Sequence, residues 1–355
     1  MSDEVKRRQA MSWQVIGILI SIVCIGSLAR RVDVAQSLQS LTRLNGYLLP
    51  IPLAVFLVAI PLRALRWHTT FPAESRPGVP SCLSALGIGN MTNFLLPWRA
   101  GDVARCVLVC RGTAPTSLAD LSLVLATLGV EKTLDGLALV GMVLLTVSTL
   151  SPPAWIVRLL WAASLIFGGA LVAMVVLRHR AASLIAVGTA LLRRAGLSSL
   201  ADRVRGPLTS FSEGLAAMSS RGQLLRLVVM TGAIWFTEAL IVWGLARSFG
   251  VDLSVRSAGL VSAVLALGLM VPAAPGGFGT YEVAGVAGMQ LVGVDASSAL
   301  ALTLVIHAWS FITNVGLGLC LVAAGQRLPL GGEGTKMTAD PDWSSRASAP
   351  ARRGA

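Results

Sequence analysis

Charge is scarce in this sequence. Asp, Glu, Lys and Arg make up 13% of its 355 residues, against about 25% in an ordinary soluble domain, which excludes a water-soluble globular chain. The short segments of alternating hydrophobicity that build a membrane β-barrel are missing too. So are the common signatures of chemistry: there is no P-loop, G-x-S-x-G or H-E-x-x-H, and no dinucleotide-binding fingerprint before a helix. Three histidines and five scattered cysteines (Cys24, Cys82, Cys106, Cys110, Cys320) make no set with metal-ligand spacing. Neither a metal nor a cofactor is expected. The formal net charge of +12 fits basic loops against anionic lipid headgroups, and nucleic acid is not expected as a partner.

What the chain has instead is apolar length. Hydrophobic residues make up 54% of it, in runs long enough to cross a hydrocarbon core of ~30 Å, which takes roughly 20 helical residues. The expected fold is an all-α polytopic membrane protein of six to eight transmembrane helices, with full crossings at 13–29, 47–62, 133–150, 155–177, 224–246 and 296–325. Residues 1–12 read as a cytoplasmic N-terminus and 13–325 as the membrane domain. Within that domain 178–223 is an arginine-rich amphipathic cytoplasmic loop, and 326–355 reads as a disordered cytoplasmic tail. The start has the charge order of a signal peptide without a clear cleavage site, so it is taken as a retained first crossing. Lys6, Arg7 and Arg8, with seven arginines in 178–223, contrast with the uncharged turn "SPPAW" at 151–155. By the positive-inside rule both termini are cytoplasmic.

Two further apolar stretches, 81–110 and 257–293, are interrupted. The first carries Pro97 and Gly101 and then Asp102. The second carries Pro272, Pro275, Gly276, Gly277 and Gly279 and then Glu282. Proline removes a backbone donor and glycine permits left-handed turns, so each stretch ends one half-helix and starts another. Non-helical backbone at membrane depth survives only against protein or a wet cavity. Counting charges along the chain closes if both stretches are re-entrant hairpins, entered from opposite sides. Paired broken segments of this kind point to an inverted repeat with a transport site between its halves.

Ionisable residues inside apolar segments are functional candidates by default. Asp102 and Arg105 fall three apart and are expected to pair, leaving Arg99 beside a helix start. There Arg99 either binds a phosphate or snorkels to the interface. Asn90 and Asn93 share a face and read as a polar patch or as an interhelical bond. Glu131 and Asp135 belong either to the site or to a solvated cap at the mouth of a crossing. Glu238 forms a stripe with Thr231 and Trp235 that must face the interior. His307 lies in a second stripe with Thr303, Ser310 and Asn314, as a hydrogen-bonded buried ring or as a proton-responsive group. Arg63, Arg66 and Trp67 read as a basic and aromatic belt at the interface.

With these residues assembled, "NMTNFLLPWRAGDVARCVLV" resembles the Asn–Pro–Arg–Gly–acid–Arg segment of the lysylphosphatidylglycerol synthase transmembrane family, also called flippase-like. "VPAAPGGFGTYEVAG" resembles its second hallmark, and "RALRW", "VEKTLDG" and Glu238 fall in the family's order. The resemblance implies a domain that moves polar lipids, here without the fused synthase domain. Asn93, Pro97, Arg99, Gly101, Asp102 and Arg105 match the first hallmark. Pro272, Pro275, Gly276, Gly277, Gly279 and Glu282 match the second. His307 stands where some members carry an arginine.

The function expected is non-enzymatic movement of a phosphate-bearing lipid across a bacterial inner membrane. In that reading Arg99 and Arg105 meet the phosphate, and Glu238 and Glu282 meet a cationic group or carry a proton. Membrane lipids are the partners, alongside a lipid-synthesis enzyme. No oligomeric state is assigned. The alternatives are an intramembrane transferase on a lipid-linked sugar, with Asp102 or Glu282 as base, and a non-transporting partner of a lipid-synthesis enzyme.

Overall fold

A computed structural model describes residues 17–30, 32–97, 99–110, 118–147, 154–218, 220–271 and 273–325. Pro272 and the segments expected at 1–12, 151–153 and 326–355 lie outside the described residues. Among the described residues there is no strand. The twelve helices are α1 (Gly17–Ala29), α2 (Val34–Ser40), α3 (Pro50–Thr70), α4 (Val79–Leu95), α5 (Ala100–Cys110), α6 (Leu118–Val147), α7 (Ala154–Arg194), α8 (Ser198–Gly214), α9 (Arg221–Ser248), α10 (Val255–Gly268), α11 (Thr280–Leu291) and α12 (Ala296–Ala323).

Helix starts follow local chemistry. Pro50 opens α3 in the first turn, where no amide donor is needed. Asp33, Ser220, Ser254 and Asp295 each accept a backbone N–H from their own first turn, capping α2, α9, α10 and α12. Among the described residues, four spans are long and apolar enough to cross a bilayer: Gly46–Thr70, Trp161–Arg194, Arg221–Ser248 and Ala296–Ala323. Their outer faces expose large apolar side chains such as Leu57, Val58, Leu165, Val229 and Ile312. In water such a surface would aggregate; in lipid it is the favourable one. The chain is a multi-pass helical membrane protein.

Three boundaries differ materially from those expected, the first being the end of α3, which runs to Thr70 rather than 62. α6 begins at Leu118 rather than at 133, so Glu131, Lys132 and Asp135 sit in mid-helix and not at the mouth of a crossing. α7 continues unbroken through Arg178 and Arg180 to Arg194, because no proline interrupts it. The segment expected as a loop is therefore helical, and α8 folds back against α6. There a Cβ on Gly214 would lie 2.4 Å from the Leu123 carbonyl oxygen. Ala126, Val130, Leu215 and Leu227 bury together at this junction.

One order of elements occurs twice. A long helix, two short helices and a long helix run as α3, α4–α5, α6 and again as α9, α10–α11, α12. Each short pair is an antiparallel hairpin packed through glycine. A Cβ on Gly101 would lie 1.8 Å from the Gly89 carbonyl oxygen and 2.7 Å from the Asn93 nitrogen. On Gly268 it would lie 2.5 Å from the Ala284 Cβ. The two breaks pack against each other: a Cβ on Gly276 would lie 3.4 Å from the Phe94 carbonyl oxygen.

Gly101→Ala is expected to destabilise the protein by about 1–3 kcal/mol, because the new methyl has backbone on two sides. Gly141→Ala, in α6 with nothing within 4 Å of a new Cβ, should be neutral or stabilise by up to about 1 kcal/mol. Thermal unfolding of both variants in detergent checks the contrast.

Candidate functional site

The two breaks and the long helices around them enclose a cavity of about 500 Å³. Its charged wall comes from α3, α6, α9 and the start of α5. Five cations (Arg63, Arg66, Arg99, Arg105, Lys132) and four carboxylates (Asp102, Glu131, Asp135, Glu238) line it. They form a ladder of alternating sign. Arg63 bonds Glu238. Arg66 binds Asp135 with two donors, Nη1 to Oδ1 at 2.6 Å and Nη2 to Oδ2 at 3.1 Å, and lies 3.7 Å from Glu131. Arg105 donates to Glu131 at 2.7 Å and 3.4 Å. Asp102 closes the ladder between Lys132 at 3.1 Å, Arg99 at 3.3 Å and Arg105 at 3.6 Å.

Neutral groups hold this ladder in place. Thr231 accepts from Arg66 Nη1 at 3.0 Å and Trp235 donates Nε1 to Asp135 at 3.2 Å. The Arg105 guanidinium lies 4.8 Å from the centre of the Trp67 ring, a cation–π contact in a site closed to water. Trp67 is wholly buried and donates to Thr127 at 3.2 Å. Arg66 and Arg105 are each only 2% exposed. Charges this buried are tolerated only when paired, since removing an ion from water costs several kcal/mol.

Several expectations change here. Arg99 does not stand free of an Asp102–Arg105 pair: it shares Asp102, and Arg105 gives its two Nη groups to Glu131 while its buried Nε has no hydrogen-bond partner among the described residues. Arg105 is thus a buried cation on the cavity wall, paired to Glu131. Arg99 is the exposed member, 45% accessible at its side chain, held at φ +51°, a left-handed conformation that non-glycine residues rarely adopt. Glu131 and Asp135 are not a solvated cap, because α6 carries them into the protein interior. The basic belt assigned to Arg63, Arg66 and Trp67 fails for the same reason: α3 runs on to Thr70, so all three face inward. A signal for the arginines was present, because carboxylates in apolar helices require cations to pair with. The stripe of Thr231, Trp235 and Glu238 does face the interior, and each member touches the ladder.

Glu282 and His307 are absent from the cavity lining. Glu282 accepts the Gly279 N–H at 2.6 Å through Oε2 and meets His307 Nδ1 at 2.6 Å through Oε1. His307 Nε2 lies 3.0 Å from the Gly276 carbonyl oxygen, and its ring packs between Tyr281 and Phe278 at 4.4 and 4.7 Å. This cluster pins the second break, where Gly276, Gly277 and Gly279 have φ of +71°, +77° and +92°, open to glycine without strain. Pro275 begins that turn, and Pro97, Gly276 and Gly277 line the cavity. Asn90 donates to Asn314 at 3.1 Å, an interhelical bond that also lies on the cavity wall. Asn93 lines the cavity, with its buried Oδ1 unpartnered among the described residues.

Residues 14–318 match the family described as lysylphosphatidylglycerol synthase TM region. Among curated proteins the chain is similar to glycosyltransferase AglD of Haloferax volcanii, 23% identical over 325 residues, covering 83% of this chain and 51% of the relative. The chain therefore spans about half the length of that relative. No solved structure matches.

Glu131→Gln removes the anion shared by Arg105 and Arg66 and is expected to cost about 3–5 kcal/mol. Arg99→Gln, at the exposed end of the ladder, should cost no more than about 1 kcal/mol. Denaturation of both variants in detergent separates the buried from the exposed part of the network.

Proposed function

The chain belongs to the lysylphosphatidylglycerol synthase transmembrane-region family, and from that premise we propose that it moves a phosphate-bearing lipid across the bacterial inner membrane, leaving the lipid chemically unchanged. The observation that carries this reading is the cavity between two broken hairpins, lined by five cations and four carboxylates. One positive charge is in excess, and Arg99 is exposed at the break. A guanidinium there offers paired donors to a phosphate, and the surrounding ladder supplies a polar path that hydrocarbon does not.

The hairpins fit a re-entrant role. α5 and α11 have 11 and 12 residues, roughly 17–18 Å of helix, short of a ~30 Å hydrocarbon core. With α1, α3, α6, α7, α9 and α12 as crossings, both termini are cytoplasmic, as is arginine-rich α8. The first hairpin is then entered from the cytoplasm and the second from outside, as in an inverted repeat. Membrane lipids are the partners, and an enzyme that makes the carried lipid is the protein partner that fits.

A second reading is favoured by the name of the similar glycosyltransferase: an intramembrane transferase. The pairing speaks against it. Asp102 faces three cations and Glu282 has both oxygens engaged, which leaves neither as an effective base.

In proteoliposomes holding a fluorescent anionic phospholipid, Arg99→Gln and Arg63→Gln should each slow its movement by about tenfold or more, the worth of a charged hydrogen bond, with the protein still folded. Equal rates in both variants would remove the site. A mass change in the recovered lipid would favour the transferase.

Topology has its own test in a cysteine-free background with an impermeant maleimide. Cysteines at Glu74 and Asp252 should react from opposite faces of the membrane. Cysteines at the apices, Leu96 and Phe278, should not react from the face opposite their own foot. Apices that do react there would make the hairpins full crossings.

A further inference from the structure

The cavity has a second wall of different chemistry. α4 and α12 line it with Asn90, Asn93, Trp309, Ser310, Thr313 and Asn314, and neither helix contributes a charge to it. Two atoms of this wall are buried without a partner among the described residues, the Asn93 Oδ1 acceptor and the Trp309 Nε1 donor. An unpartnered buried polar atom costs about 1–3 kcal/mol, so such atoms on a cavity wall call for a ligand with its own donors and acceptors. On the charged wall the position is the reverse for carboxylates. Glu238, Asp135, Glu131 and Asp102 each have a cation within 3.1 Å, so none is free to receive a cationic headgroup.

We infer that the carried lipid has a phosphate joined to a neutral polyhydroxyl group, a sugar or cyclic polyol, and not an aminoacylated or choline-like cation. The inference rests on the proposed transport reading and specifies its substrate class. The phosphate meets Arg99 at the charged wall. The hydroxyls meet the amides, hydroxyls and indole of α4 and α12. A hydroxyl both donates and accepts, so one headgroup satisfies Asn93 Oδ1 and Trp309 Nε1 together, which neither an ammonium nor a bare phosphate does. Rejection of a cationic headgroup has a physical source as well. The excess charge of the cavity is positive, and a further buried cation finds every carboxylate already engaged.

The test is calorimetric titration of the full chain in detergent with four probes: dioctanoyl phosphatidylinositol, dioctanoyl phosphatidic acid, dioctanoyl lysylphosphatidylglycerol and inositol 1-phosphate. Phosphatidylinositol is expected to bind about tenfold or more tighter than each of the other three. Trp309→Phe, which keeps the ring and removes the donor, and Thr313→Val should each bring phosphatidylinositol close to phosphatidic acid while phosphatidic acid is unchanged. Arg99→Gln should weaken both phospholipids by the same factor.

Equal affinity for phosphatidylinositol and phosphatidic acid overturns the polyol assignment and leaves the phosphate reading standing. So does a preference that survives both wall variants. A lysyl lipid that binds as well as the inositol lipid also overturns it. Inositol 1-phosphate binding as tightly as its lipid would make the ligand a soluble polyol phosphate and sink the lipid assignment. If no probe binds in an Arg99-dependent way, the transport reading itself fails and takes this inference with it.

Discussion

Everything in this structure is arranged around charges that hydrocarbon will not tolerate alone. The contacts that run from Asp135 through Arg66, Glu131 and Arg105 to Asp102, with the Arg63–Glu238 pair on the same cavity wall, draw on four helices. Each rung is acceptable only because the next one neutralises it. An ion removed from water costs several kcal/mol, and attraction to a partner offsets this only in good geometry. That condition sets the register of α3 against α6 and α9, and of α5 against α6. A slip of one helical residue would strand at least one buried charge.

The broken hairpins serve the same constraint from the backbone side. Short helices leave unpaired backbone groups at their ends, and membrane protein can place such ends only where protein or water meets them. At the second break Glu282 and His307 take up the Gly279 amide and the Gly276 carbonyl. This pins a glycine-rich turn against the first break at Phe94. The two acids that close the hairpins therefore differ in kind. Asp102 faces the cavity with three cations around it, while Glu282 lies behind the wall as a positioning residue.

Much of this was legible in the sequence, because the signals are local. Scarce charge and long apolar runs point to a helical membrane protein. Pro97, Gly101 and the 275–279 turn mark breaks because proline and glycine act on their own backbone. The spacing of Thr231, Trp235 and Glu238 identifies an inward face because helical periodicity is short-range. Two local readings still misled. Arg63, Arg66 and Trp67 looked like a belt because α3 was ended too early, and α6 was started too late. Both errors placed charges at an interface when the helix in fact carries them inside.

The sequence by itself determined that this chain lives in a membrane and where its backbone breaks. Composition and residue type suffice for that. Only the tertiary structure decided which charge meets which. Arg63 and Glu238 are 175 residues apart, Arg66 and Asp135 69, and Arg105 and Glu131 26. Pairing at such separations depends on helix packing, and packing separates a buried arginine from an exposed one. Arg105 and Arg99 carry the same side chain six residues apart, and the fold buries the first against Glu131 and leaves the second exposed beside Asp102.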